Sequence, residues 1–302
     1  MREVVEMAQR RGPRRVAVAV AEDEIVLRAL AEAIEHGLAK PLLYGRASRI
    51  EAAARAAGVD PSSETGRALL QEIKDQSDEA SAVEAAVAAC RSGEADMVMK
   101  GHTDSGTLLR AVLDRDRGLR AGGMLSHVAV VEVAGLDRLL FITDGGLNVL
   151  PDLPRKRAIV ENAIHVARAC GVAHPRIAAL AAVETVTPEM PATVDGAALA
   201  AAARDGAFAG AELDGPLALD LALSSLAAER KGFFSPVAGR ADILLVPNIE
   251  TGNILTKGLI YLAGAKVGGV VVGATAPVIL LSRADEAETK LHSMAIGVLL
   301  CR

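Results

Sequence analysis

The chain has 302 residues, enough for one large or two medium domains. Its formal net charge of -5, with no basic stripe interleaved with aromatics, excludes a general affinity for nucleic acid. Hydrophobic residues make up 51%, yet there are only 4 Phe, 2 Tyr and no Trp, so the core must be built from Val, Leu, Ile and Ala, as when helices cover both faces of a sheet.

Short β-rich runs alternate with longer amphipathic ones, which predicts βαβ units and a mostly parallel sheet. Val16–Ala21 reads as a strand, Glu24–His36 as a helix stopped near Gly37, and Leu42–Tyr44 as the next strand. Ala- and Glu-rich helices run up to Arg91, followed by a buried strand at Met97–Met99 and a helix from Thr107 to Leu113. His127–Val133 and Leu139–Thr143 read as paired strands around the turn Ala134–Arg138, which interrupts the parallel pattern and marks a domain seam. Beyond Pro151 come a helix at Lys156–Cys170, a strand at Ile177–Val183, a helix around Asp195–Ala203, a loop at Asp214-Gly215-Pro216 and a helix from Leu217 to Ala228. The chain then runs through strand Ile243–Pro247, polar loop Asn248–Asn253, a helix, strand Gly269–Gly273, an apolar loop, and Ser282-Arg283-Ala284-Asp285 opening a last helix.

Polar groups thus gather at the carboxyl ends of strands beside helix starts, where open α/β sheets bind ligands and free N–H groups suit a phosphate. After the strand at 97–99, Lys100-Gly101-His102-Thr103-Asp104-Ser105-Gly106-Thr107 lets backbone approach an anion, with Arg110 one turn further on. The alternative is an ordinary strand-to-helix loop with Ser105 or Thr107 as N-cap. Its spacing does not fit G-x-x-x-x-G-K-[ST]. Arg120-Ala121-Gly122-Gly123 before Ser126 is either a turn or a second polar loop. Thr143-Asp144-Gly145-Gly146-Leu147-Asn148 leaves room for a ligand, or is a tight turn in which Asp144 and Asn148 bond their own backbone. Asn248-Ile249-Glu250-Thr251-Gly252-Asn253 carries more hydrogen-bonding side chains than one cap needs. Ser282 with Asp285 is close to a capping box, which can coexist with anion binding.

Cys90, Cys170 and Cys301 lie far apart, which offers no disulfide framework or metal spacing and suits a reducing compartment, and Cys90 and Cys170 read as core residues. No apolar stretch is long enough to span a membrane, and Met1–Arg15 is charged rather than signal-like, so a soluble cytoplasmic protein is expected. Neither G-x-S-x-G nor, after the first strand, G-x-G-x-x-G is present, which counts against a serine hydrolase and a dinucleotide-binding unit.

Taken in order, the segments MKGHTDSGTLLRAVL (99–113), GLRAGGMLSHVAV (118–130), LLFITDGGLNVLPDL (139–153), PEMPATVDGAAL (188–199), DGPLALDLAL (214–223), ADILLVPNIETGNIL (241–255) and GGVVVGATAPVILLSRADEAETK (268–290) resemble the phosphate acetyltransferase/phosphate butyryltransferase family over nearly the whole chain. The PNIETGN and SRADE-x-E-T-K forms look more like the butyryltransferase branch. The resemblance implies two α/β/α domains with mostly parallel sheets and an interdomain active-site cleft: 1–135 with 277–302, because the last helix returns, and 136–276. It implies reversible transfer of a short acyl group, butyryl favoured, between CoA and phosphate by direct attack in a ternary complex. CoA enters as substrate, no metal or redox cofactor is required, and a homodimer or higher homo-oligomer is implied, with no nucleic-acid or membrane partner.

By the same resemblance Ser282 and Arg283 match the family's serine–arginine pair near thiol and phosphoryl group, and Arg110 the arginine after the first phosphate-side loop. A base must assist thiol deprotonation. Where the acetyltransferase branch has an aspartate this chain has Thr289, so Glu288 or Asp285 is the candidate. Lys100, Thr103, Ser105, Ser126, Asp144, Asn248, Glu250, Thr251 and Asn253 are candidate substrate-binding residues. The acetyltransferases carry a cysteine where Gly145 stands, so Gly145 and Gly146 predict a roomier acyl pocket. The rival readings are a phosphate acetyltransferase proper, an acyltransferase using carrier protein, a decarboxylating hydroxyacid dehydrogenase of related fold, and a non-catalytic CoA- or acyl-phosphate-binding regulator.

Overall fold

The computed structural model describes every residue of the chain except Leu281 and Arg283. Contacts divide it into unit 1, Met1–Gly123 with Gly268–Arg302, and unit 2, Met124–Val267. These bounds differ from the expected 1–135 with 277–302 because the first strand of the hairpin pairs with its own partner inside unit 2, from Val128↔Thr143 to Val131↔Leu140.

Unit 1 begins with α1 (Arg2–Arg11), β1 (Arg14–Ala19), α2 (Glu24–Glu35), β2 (Ala39–Gly45), α3 (Ala47–Ala56), α4 (Glu64–Leu70), β3 (Ile73–Asp75), α5 (Glu79–Ser92), β4 (Met97–Lys100) and α6 (Ser105–Val112). Unit 2 holds β5 (Ser126–Glu132), β6 (Leu140–Thr143), α7 (Leu153–Ala169), β7 (Arg176–Leu180), α8 (Pro191–Arg204), β8 (Glu212–Leu217), α9 (Leu219–Leu223), α10 (Ser225–Arg230), β9 (Ile243–Leu245) and α11 (Ile249–Ala263). Along β10 (Lys266–Val272) the chain re-enters unit 1, which closes with β11 (Val278–Ile279) and α12 (Ala287–Leu300).

In unit 1 the strand order is β3-β2-β1-β4-β11-β10, parallel except for β10. In unit 2 it is β5-β6-β9-β7-β8, parallel except for β5. Consecutive residues of β4, β6 and β9 are all buried, as strands covered on both faces must be. Unit 1 steps outward from β1 to β3 and then places β4 on the other side of β1. In unit 2 β9 returns to lie between β6 and β7. Such reversals of strand order open a crevice at the carboxyl ends.

Several elements depart from the sequence reading. The charged N-terminal segment forms α1, whose Val4 and Ala8 are buried. The loop expected at Asp214-Gly215-Pro216 lies inside edge strand β8, where proline needs no ladder donor. The single helix expected over 217–228 is two, because Ser224 is extended and caps α10 through Ala227 N–H. The polar loop 248–253 is already helical: Asn248 is the N-cap of α11. The last helix starts at Ala287 rather than at Ser282, and its N-cap Glu286 makes no side-chain cap bond.

Candidate functional site

In unit 1 the crevice between β1 and β4 is shaped by backbone contact. Val20 adopts φ of 60°, and its carbonyl accepts His102 N–H at 2.6 Å while Ala19 O accepts Gly101 N–H at 2.9 Å. A Cβ at Gly101 would lie 2.1 Å from Val20 O, so the two loops can close only on glycine. Asp23 caps α2 through Val26 N–H at 2.9 Å and lies 3.7 Å from His102 Nδ1.

The predicted residues of this loop separate by how their polar groups are used. Lys100 is buried and its Nζ donates to Thr103 O at 3.3 Å, while the buried Thr103 hydroxyl donates to Glu79 at 2.5 Å. The N-cap is neither Ser105 nor Thr107 but Asp104, which accepts Thr107 Oγ1 at 2.6 Å and Thr107 N–H at 3.0 Å. The Thr107 hydroxyl and amide, in that order, hold the Asp104 carboxyl below its ordinary range. Ser105 is the half-buried first residue of α6. Arg110 is exposed and folds back to donate to Thr107 Oγ1 at 2.9 Å. A Cβ on Gly106 would sit 3.4 Å from Arg110 Nη1, which places the guanidinium over the opening turn of α6. The Thr107 amide of this turn is already taken by Asp104, so what the turn offers an anion is the exposed Arg110 guanidinium.

The second piece of unit 1 lies between β11 and α12. Ser282 is exposed; its N–H donates to Asp285 Oδ2 at 2.8 Å and its Oγ accepts Ala284 N–H at 3.3 Å. Glu288, in the first turn of α12, is exposed and has a carboxylate oxygen 3.9 Å from His292 Nε2. Arg283 lies outside the described residues.

In unit 2 the candidates are tied into the scaffold. Asp144 is 2% exposed, and its Oδ1 accepts Gly146 and Leu147 N–H, both at 2.8 Å. Its Oδ2 accepts His127 N–H at 3.0 Å and Asn148 Nδ2 at 2.7 Å. Ser126 is fully buried, with its Oγ accepting from Asn162 at 2.9 Å. Asn248 Oδ1 accepts the Thr251 amide at 2.9 Å and hydroxyl at 2.7 Å, and Asn253 Nδ2 reaches Gly145 O at 3.4 Å. Glu250 is exposed in the first turn of α11.

The roomier pocket expected at Gly145 and Gly146 is not there. A Cβ at Gly145 would lie 2.7 Å from the carbonyl carbon of Gly252, and one at Gly146 would lie 2.9 Å from the His127 ring. Gly145 lets α11 approach the loop after β6, so backbone fills the space there, and at Gly146 the His127 ring fills it. The cavity of unit 2 opens instead between β7 and β9: about 830 Å³, lined by Leu180, Met190, Leu219, Pro247 and Leu255, with Asn248 and Thr251 at its edge. Its polar wall is the ion pair of Lys156 Nζ and Asp195 Oδ2, 2.7 Å apart.

Two buried lysines escaped the sequence reading: Lys156 at 5% and Lys290 at 3% exposure. Their helical spacing from apolar residues, Lys156 to Ile159, Val160 and Ala163, and Lys290 to Met294 and Val298, was the available signal. Burial pushes the thiols of Cys90, Cys170 and Cys301 each up to about 12, which removes all three as thiolate nucleophiles near neutral pH. Among the described residues no group of three or more His, Cys, Asp or Glu could hold a metal ion, as the dehydrogenase reading requires.

Similarity to known proteins extends over nearly the whole chain. Residues 1–298 match the family model described as phosphate acetyl/butaryl transferase. The chain is 44% identical to phosphate butyryltransferase of Clostridium acetobutylicum over 99% of its own length and 97% of the relative's. It is 43% identical to phosphate acetyltransferase of Rhizobium meliloti, covering 92% of this chain and 85% of that one. Among solved structures, a branched-chain phosphotransacylase from Enterococcus faecalis superposes with a TM-score of 0.82 at 33% identity, over 95% of this chain and 98% of that one. The chain therefore belongs to the phosphate acetyl/butaryl transferase family.

Proposed function

We propose that the protein is a phosphate acyltransferase that interconverts a short-chain acyl-CoA and inorganic phosphate with acyl phosphate and CoA, with butyryl or a similar chain preferred. The match along residues 1–298 carries this reading. The exposed Arg110 over the opening turn of α6, and the exposed Ser282 hydroxyl before α12, support it from the geometry of unit 1.

In the direction of acyl phosphate formation a phosphate oxygen attacks the thioester carbonyl, the C–S bond breaks, and the CoA thiolate leaves and takes up a proton. In reverse the thiol loses its proton, attacks the acyl phosphate carbonyl and expels phosphate. Direct transfer in a ternary complex requires cations for the phosphoryl charge and one proton acceptor. We assign Arg110 and Arg283 to the first task. Asp285 already accepts the Ser282 amide, so its carboxylate shapes the turn, and the exposed Glu288 is the better proton acceptor. The reaction written this way needs no resident metal or redox group.

A homodimer or larger assembly in the cytoplasm completes the proposal. Ile254, Tyr261 and Leu262 form an apolar stripe on α11, at 71%, 71% and 89% exposure, which a second copy would cover. The first experiment is phosphate-dependent release of CoA thiol from acetyl-, propionyl-, butyryl- and longer acyl-CoAs. Turnover peaking at butyryl is expected, whereas a peak at acetyl would make the protein a phosphate acetyltransferase. CoA binding without turnover on any of them would sink the CoA-dependent acyltransferase reading in favour of a carrier-protein enzyme or a regulator.

A further inference from the structure

Lys290 has no part in the chemistry assigned above, and its surroundings call for an account. It stands in the first turn of α12, is 3% exposed, and points its ammonium back beneath the turn that precedes the helix. Nζ donates to Asp285 O at 2.8 Å and lies 3.5 Å from Ser282 O. The same turn is closed from above by its own bonds: Ser282 N–H to Asp285 Oδ2 at 2.8 Å and Asp285 N–H to Ser282 O at 3.2 Å. The N-cap of α12, Glu286, makes no side-chain cap bond, so the Lys290 ammonium is the side-chain donor that ties the start of the helix to this turn among the described residues.

We propose, on the acyltransferase reading above, that Lys290 is a positioning residue: its ammonium fixes the carbonyls of Ser282 and Asp285 and so sets how the Ser282 hydroxyl is presented to the reacting groups. Burying an ammonium is costly, and a methionine would fill the same volume without that cost. Burial does depress the Lys290 amine, with the charges of Asp285, Asp23 and Glu286 opposing the depression. The placement therefore works against packing economy, and what the charge gains in return is a second donor set on the turn. A positive charge under the segment also favours an anion bound above it.

The test compares wild type with K290M and K290R. In phosphate-dependent CoA release from butyryl-CoA, K290M should lose about 10- to 100-fold in kcat, the scale of misplacing a reacting group by an ångström, while KM for butyryl-CoA stays within about threefold. K290R keeps charge and donors in a bulkier head and should recover part of the rate. In parallel, amide hydrogen exchange should quicken at Ser282 and Asp285 in K290M and leave the β4 amides protected. Unchanged kcat in K290M overturns the proposal. So does a rate loss that K290R deepens along with a lowered melting temperature, which is the mark of packing alone. Wild type without turnover refutes the acyltransferase reading. The exchange arm still judges Lys290 in that case, and unchanged protection at Ser282 and Asp285 overturns its role as a clamp.

Discussion

Asp144 in unit 2 and Ser282 in unit 1 both sit beyond the carboxyl ends of parallel strands, but they spend their polar atoms differently. Asp144 is buried with two donors on each carboxylate oxygen, and it folds the loop after β6 around itself. Ser282 is exposed, and among the described residues its hydroxyl meets one weak donor, the Ala284 amide at 3.3 Å. Arg110 resembles Ser282, and Ser126 resembles Asp144. Saturated polar groups build the scaffold, and incompletely used ones are available to a substrate.

That contrast predicts different failures. Asp144→Ala strands four donors in a buried loop and should cost about 3–5 kcal/mol, less whatever water restores, read as a lowered urea midpoint with the slope unchanged. A near-wild-type midpoint would show the loop does not depend on that carboxylate. Arg283→Ala should leave the midpoint alone and lower kcat/KM about 100- to 1000-fold, the usual effect of deleting one donor aimed at developing charge. Near-normal kinetics would discard its assignment. Gly145→Ala pushes a methyl to within 2.7 Å of Gly252 backbone and should cost about 1–3 kcal/mol, because helix α11 and not a flexible side chain has to move.

The smallest effect sharpens the comparison through pH. Burial raises the Glu22 carboxyl, but Arg46, bonded to it at 2.8 and 3.0 Å, outweighs that and brings it below its ordinary range. A carboxyl lowered in the folded state stabilises above the unfolded value of about 4.3, and the contribution is lost as pH falls through the folded value. Glu22→Gln should therefore cost about 1 kcal/mol near neutrality and progressively less below about pH 4, measured by urea denaturation across pH. A pH-independent difference would mean Glu22 acts through packing.

Much of the fold was legible because buried parallel strands are runs of Val, Ile, Leu and Met, and β1, β4, β6 and β9 fall where those runs do. The helix starts were not. Asn248 through Asn253 has the composition of a loop, yet one Asn as N-cap suffices to begin α11 inside it. Ser282 and Asp285 make half of a capping box, but the bond serves a free-standing turn and the helix waits until Ala287. Candidate residues were found by type, and type does not reveal whether an oxygen is already bonded. That is why Asp144 and Ser282 looked alike in the sequence. The glycine pair misled for a related reason: a missing side chain signals room only if nothing else occupies it, and Gly252 does so at Gly145 and the His127 ring at Gly146.

Unit 1 is assembled from two stretches separated by the whole of unit 2, and α12 packs on α1 and α2. During synthesis unit 2 therefore emerges as one continuous stretch, while the faces of α1 and α2 that α12 covers stay uncovered until residues 287–300 have been made. A stalled or truncated product would keep a folded unit 2 and expose the surface that α12 covers, making that surface the place for chaperones to bind and for aggregation to begin.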